Sequence, residues 1–140
     1  MSHSASFILT QTLPIRRPRR GAFIALWTTQ VAVAGMFLLA GSSKLAGAPA
    51  LVALFDAIGV GQWFRYVTGL IEVVSALALL VPPLAVWGAL ALIPTMVGAI
   101  ATHLFVVGGS PAPATVLLFG ALGIAWARRS QLVDVVSRVR

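Results

Sequence analysis

The chain holds 140 residues, of which 59% are hydrophobic and only 9% charged, with a formal net charge of +7. Together with a mean hydropathy of +0.99, this composition excludes a water-soluble domain of such size and points to a bilayer. Cysteine is absent, which excludes disulfide exchange, thiolate metal sites and thiol nucleophiles.

Residues 1–20 form a basic tail, polar and weakly apolar by turns and then carrying Arg16, Arg17, Arg19 and Arg20. A hydrocarbon core about 30 Å thick asks for roughly 20 apolar residues per helix, and four runs answer to that: 21–44, 64–81, 84–107 and 110–127. Backbone groups in lipid must be satisfied within the segment. These runs lack the two-residue alternation of barrel strands, so each predicts a helix. The first is longer than the core of a cleavable signal, and Pro49 would follow the cut, so it reads as a span. After it, "APALVALFDAIGVG" predicts a short amphipathic helix from Pro49 to near Gly59 on the outer surface, with Asp56 solvated. Pro94, inside the third span, removes a backbone donor and predicts a bend beside a cavity. Residues 128–140 form a second basic tail with Arg128, Arg129, Arg138 and Arg140. The expected fold is all-α: a transmembrane four-helix up-and-down bundle over residues 21–127, with the amphipathic helix in its first outer loop.

Charge sets the orientation. Eight arginines lie on the two tails, against Lys44 and Arg65 at the first connection, so both termini are expected in the cytoplasm. Trp63 then falls at the outer edge, and Trp27, Trp87 and Trp126 near the inner one, where indole rings prefer to sit. Topology accounts for the basic balance, so the implied partner is the lipid bilayer, anionic head groups included, and no nucleic acid.

Polar side chains within the spans share helical faces. Steps of three and four residues put Arg65, Thr68, Glu72 and Ser75 on one stripe of the second span. Gln30, Ala34, Phe37, Gly41 and Lys44 make a stripe on the first, and Gly88, Thr95 and Thr102 one on the third, with His103 on its shoulder. Counted at 1.5 Å per residue, Glu72 comes to about 12 Å from one edge, Thr95 to about 16 Å and Gln30 to roughly 13 Å from the other, which predicts a shared layer. Lys44, Arg65, Thr102 and His103 fall nearer the outer edge. The expectation is a polar funnel opening outward, with Glu72 at its floor.

A charged side chain at the centre of a membrane helix costs about 2.5 to 3.5 kcal/mol and needs a partner or a water-filled cavity. Three states of Glu72 compete: ion-paired to Lys44 or Arg65, protonated and hydrogen-bonded to Thr68 or Gln30, or facing a ligand. Lys44 has a stem long enough to snorkel, Arg65 suits an interface anchor, and His103 suits an interfacial hydrogen bond. His103, Asp56 and Glu72 are too few to build a metal site. No glycine-rich phosphate loop, nucleophile elbow or internal repeat is present.

A first span ending in "AGSSKL", a loop and second span reading "LFDAIGVGQWFRYVTGLIEVV", and "MVGAIATHLF" in the third form a known pattern. Over residues 30–127 the chain resembles the DoxX-like family of small four-helix integral membrane proteins, anchored at Lys44, Gly69, Glu72 and His103. The resemblance implies a protein of the bacterial inner membrane. Family members include a subunit of thiosulfate:quinone oxidoreductase, a partner of secreted thiol and superoxide enzymes and, more distantly, a receptor-assembly chaperone, so function is not uniform across it.

Two functions are expected in consequence. In one, the chain is an accessory subunit of a membrane redox system. It then binds a quinone or similar lipophilic ligand near Glu72, Lys44, His103, Thr68, Gln30 and Arg65. Glu72 and His103 would exchange protons with the ligand or hydrogen-bond its oxygens, and Lys44 would set the charge of Glu72. Lacking an intrinsic cofactor and a complete catalytic constellation, it would need a membrane or periplasmic redox partner. In the other, it is a non-enzymatic scaffold or assembly factor, in which Gly35, Gly41, Gly88, Gly120 and Gly123 permit close helix approach. A small proton-coupled transporter is a third reading. Oligomerisation is compatible with all three.

Overall fold

A computed structural model describes residues 20–132. The tail segment 1–14 and Arg16, Arg17, Arg19, Arg138 and Arg140 lie outside the described residues. Five α-helices follow in order: α1 (Arg20–Leu45), α2 (Pro49–Ile58), α3 (Gln62–Leu80), α4 (Ala85–Thr102) and α5 (Ala112–Ala127). A 3₁₀ turn, Pro82–Leu84, leads into α4, and a π-helical turn, His103–Val107, leaves it.

Local chemistry sets these bounds. α1 ends where Gly47 takes a left-handed φ of 73°, letting its N–H reach the Lys44 carbonyl and the Ala48 N–H reach that of Ser43. Pro49 then opens α2, where a missing donor costs nothing. At the far end of α3, Pro82 and Pro83 supply no N–H to continue the helix, and the chain reverses. Pro94 does not end α4, which runs through it to Thr102. It does leave the Leu90 carbonyl without its usual partner four residues on.

The long helices pack as neighbours: α1 lies against α3 and α5, and α4 against α3 and α5. Ala34, Phe37, Ala76, Leu79, Ala89, Leu92, Ala121 and Ile124 fill the space between them and are fully buried. Small residues set how close the backbones come. A Cβ on Gly41 would lie 2.8 Å from the Gly69 carbonyl oxygen, and one on Gly69 would lie 3.1 Å from that of Gly41. A Cβ on Gly88 would lie 2.6 Å from the Ser75 carbonyl oxygen, so α3 and α4 are clasped near the Pro82 turn. A Cβ on Gly120 would lie 2.8 Å from a methyl of the Val33 side chain, whereas Gly35 and Gly123 face open space.

The outer surface is apolar. Leu39, Phe105, Val116, Phe119 and Trp126 are among the large side chains left exposed, a pattern that suits lipid and not water. Arg20–Leu45, Gln62–Leu80 and the stretch Pro82–Val107 are long and apolar enough to cross a membrane. α5 is equally apolar but has 16 residues, fewer than the roughly 20 that a full crossing asks for. α2 differs from the rest: it lies across the end of the structure remote from the Pro82 turn, on α3 and the π-helical turn.

Candidate functional site

The reciprocal glycine contact brings the last turn of α1 beside the middle of α3. There Lys44 Nζ lies 2.6 Å from Glu72 Oε2. The Glu72 side chain keeps 2% of its surface and that of Lys44 16%, so the carboxylate is enclosed and its cation mostly so. Among the described residues no group donates to Glu72 Oε1, yet every fully buried side-chain nitrogen or oxygen has a partner. Oε1 is therefore reached from a cavity rather than sealed in protein.

Arg65, one turn above Thr68 on the same stripe, does not join that pair. Its guanidinium donates to the Lys44 carbonyl, in the last turn of α1. Its Nε donates to Gln62 Oε1 at 2.6 Å, and its charge lies 4.3 Å from the centre of the Tyr66 ring. Gln62 in turn donates to Asp56 Oδ1 at 2.7 Å and to the Val52 carbonyl at 2.9 Å. A continuous chain of hydrogen bonds thus runs from α2 through Gln62 and Arg65 to the backbone of Lys44. Arg65 is 4% exposed, too enclosed for an interface anchor; it ties three helices together.

Below α2 lies a cavity of about 650 Å³. Its polar wall consists of Lys44, Thr68, Glu72, Thr95, Thr102 and His103, and the remainder is apolar. Leu51, Leu54, Phe55 and Ile58 of α2 form its roof. The cavity is mostly apolar, and the amphipathic helix turns its apolar face down onto it at that end. Thr68 and Thr95 direct their hydroxyls to carbonyls of their own helices, Phe64 at 3.0 Å and Ala91 at 3.2 Å. His103 stands at the start of the π-helical turn, a feature common at functional positions. Its Nδ1 lies 3.1 Å from the Gly108 carbonyl oxygen. Since a carbonyl only accepts, Nδ1 is the donor in this contact, and in the neutral ring Nε2 is then an acceptor.

The sequence profile of the DoxX-like family matches residues 28–127. The chain belongs to the DoxX-like family. The match takes in the cavity and each of its polar wall residues, and with the apolar helices it makes this DoxX-like chain a membrane protein. No curated protein and no solved structure is significantly similar to it.

Gln30 stands elsewhere in this DoxX-like protein. Its Nε2 donates to the Leu79 carbonyl in the last turn of α3, and its Oε1 accepts from Arg128 at 3.1 Å. It therefore belongs to the Pro82 end and not to the layer of Glu72. Depth counted from Gly21 failed because α1, at 26 residues, overhangs α3, at 19. The same end holds a residue that sequence reasoning missed: Gln131 donates to the Pro82 carbonyl at 2.5 Å and accepts from the Val86 N–H at 3.3 Å, bridging the α3–α4 turn. Gln62 was missed likewise. Both lie just outside the apolar runs, where a glutamine has no phase to betray it; the signal for Gln62 was its position three residues before Arg65, one helical turn away.

Proposed function

We propose that the cavity binds a quinone or a similar lipophilic molecule, and that the protein is an accessory subunit of a membrane redox system. In this reading four helices cross the bacterial inner membrane as an up-and-down bundle. Both termini face the cytoplasm, and α2 lies toward the periplasm. One observation carries the proposal: an apolar chamber of about 650 Å³ whose wall carries the Lys44–Glu72 pair. That volume is typical of small-molecule sites, which are apolar with a few convergent polar groups.

The residues suit a ring that carries oxygens. A quinone carbonyl accepts from Lys44 Nζ, which spends one of its three protons on Glu72. A hydroquinone hydroxyl donates to Glu72 Oε1 or to His103 Nε2. Proton release on oxidation then passes to these two acceptors, while electrons pass between the ring and a membrane or periplasmic partner protein. The chain contributes binding, orientation and proton acceptors.

Titration of the purified protein with ubiquinone and menaquinone analogues, in wild type and in Glu72→Gln and His103→Ala, tests this. Weaker binding in both variants supports it; unchanged binding removes the proposed roles. A scaffold or assembly factor is the second reading, favoured by the fact that Lys44 and Glu72 already satisfy each other and join α1 to α3. On that account Glu72→Gln lowers stability, and no quinone binds in wild type or variant.

A further inference from the structure

We infer that the cavity is filled sideways from the bilayer, between α3 and α4, and that its occupant is an uncharged molecule dissolved in lipid rather than an aqueous solute. This deepens the proposed ligand site and rests on it. Apart from Pro113, the wall residues that are also exposed on the protein surface are Val67 and Ile71 of α3 and Ala91, Pro94 and Gly98 of α4. They stand on the facing edges of two adjacent helices and form the rim of a lateral window. The two helices are clasped at Gly88, where a Cβ would meet the Ser75 carbonyl oxygen at 2.6 Å, but a Cβ on Gly98 would meet nothing within 4 Å. Gly98 thus leaves room at the rim, at the height of the cavity, that a larger side chain would occupy.

The aqueous end is covered by contrast. The apolar face of α2 covers the cavity end, and Gln62 fastens α2 to α3 through Val52 and Asp56. Every rim residue of the window is apolar, so a charged species crossing it would shed its hydration without a partner. Past the rim, Lys44 and Glu72 cancel each other's charge at 2.6 Å, leaving hydrogen-bonding capacity and little net field. Such a chamber selects a neutral polar head that brings an apolar tail with it, the tail remaining in the window.

The absence of cysteine allows single thiols to be placed one at a time. Thr95→Cys puts one on the cavity wall, Val116→Cys one on the exposed apolar face of α5, and Ser110→Cys one in an exposed polar loop. Each is reconstituted in nanodiscs, where both aqueous faces are open. Each is then treated with a long-chain alkyl maleimide dissolved in the lipid or with a membrane-impermeant sulfonated thiosulfonate. The expected result is that Thr95→Cys reacts as Val116→Cys does, with the alkyl maleimide alone, while the charged reagent modifies Ser110→Cys. Adding Gly98→Trp, or Gly98→Phe, abolishes labelling at Thr95→Cys and leaves that at Val116→Cys intact, which also reports that the protein is folded. Labelling of Thr95→Cys by the charged reagent, failure of the alkyl maleimide to reach it, or labelling that survives both plugs overturns the lateral route. No quinone is needed for this readout, so a chamber that admits the maleimide but binds no quinone defeats the proposed function while leaving the route standing.

Discussion

Lys44 Nζ and Glu72 Oε2 meet at 2.6 Å across a helix contact that glycine makes possible. The pair is enclosed, and removing one partner of an enclosed pair leaves an uncompensated charge, which costs more than the pair itself contributes. Lys44→Met should therefore destabilise the protein by about 3 kcal/mol, and Lys44→Met with Glu72→Leu should recover most of that loss. Denaturation in mixed micelles, followed as a double-mutant cycle, measures it. Additive losses would show that the two side chains do not interact.

Helix contact at Gly41 and Gly69 should be as sensitive as its geometry. Gly69→Val places atoms where Lys44 Cβ lies 3.0 Å from even an added Cβ, and should cost about 1–3 kcal/mol through forced separation of α1 and α3. Gly35→Ala, which meets nothing within 4 Å, should be neutral or stabilising by about 0.5 kcal/mol. Equal losses in the same unfolding assay would contradict the packing described.

The all-α architecture was legible because apolar runs long enough for lipid and helix-breaking residues such as Pro49 and Pro82 leave little choice of element. So was the inward direction of Lys44 and Glu72, since phase along a helix follows from spacing alone. Axial register between helices was not. Gln30 was set beside Glu72 because depth was counted from the start of an apolar run, and an overhang of α1 beyond α3 is invisible in that count. The role of Arg65 was hidden for a different reason. Its partners are a backbone carbonyl at Lys44 and the side chain of Gln62, and the first of these contacts exists only after α1 and α3 have packed. The roof over the cavity was obscured because an amphipathic helix reads alike whether its apolar face meets lipid or protein.

Arg65 uses a fork that lysine lacks, with Nε engaged by Gln62 and another nitrogen by the Lys44 carbonyl. Arg65→Lys should give up one charged hydrogen bond, a loss of about 1.5–3 kcal/mol that falls locally on α2 and the turn around Gly47. Amide hydrogen exchange should accelerate there and stay unchanged in α5. Exchange that rises uniformly through the chain would refute the local tie.

The cluster at the Pro82 end should be separable from the cavity. Gln30→Leu strands the Leu79 carbonyl and removes the acceptor for Arg128, and should cost about 1–2 kcal/mol in stability. Quinone affinity should not change, since Gln30 takes no part in the cavity wall. A parallel loss of affinity would place the binding site at the wrong end of the protein.

Direct evidence of an occupant comes from mass spectrometry of the neutral lipids extracted from protein purified out of native membranes, for wild type and for Thr95→Phe, which fills the chamber from its own wall. Wild type should carry a quinone or a comparable uncharged lipid in near-stoichiometric amount, and Thr95→Phe, equally folded, should carry almost none. Wild type that emerges empty, or a filled variant that retains the same lipid in the same amount, would contradict the cavity as a ligand site.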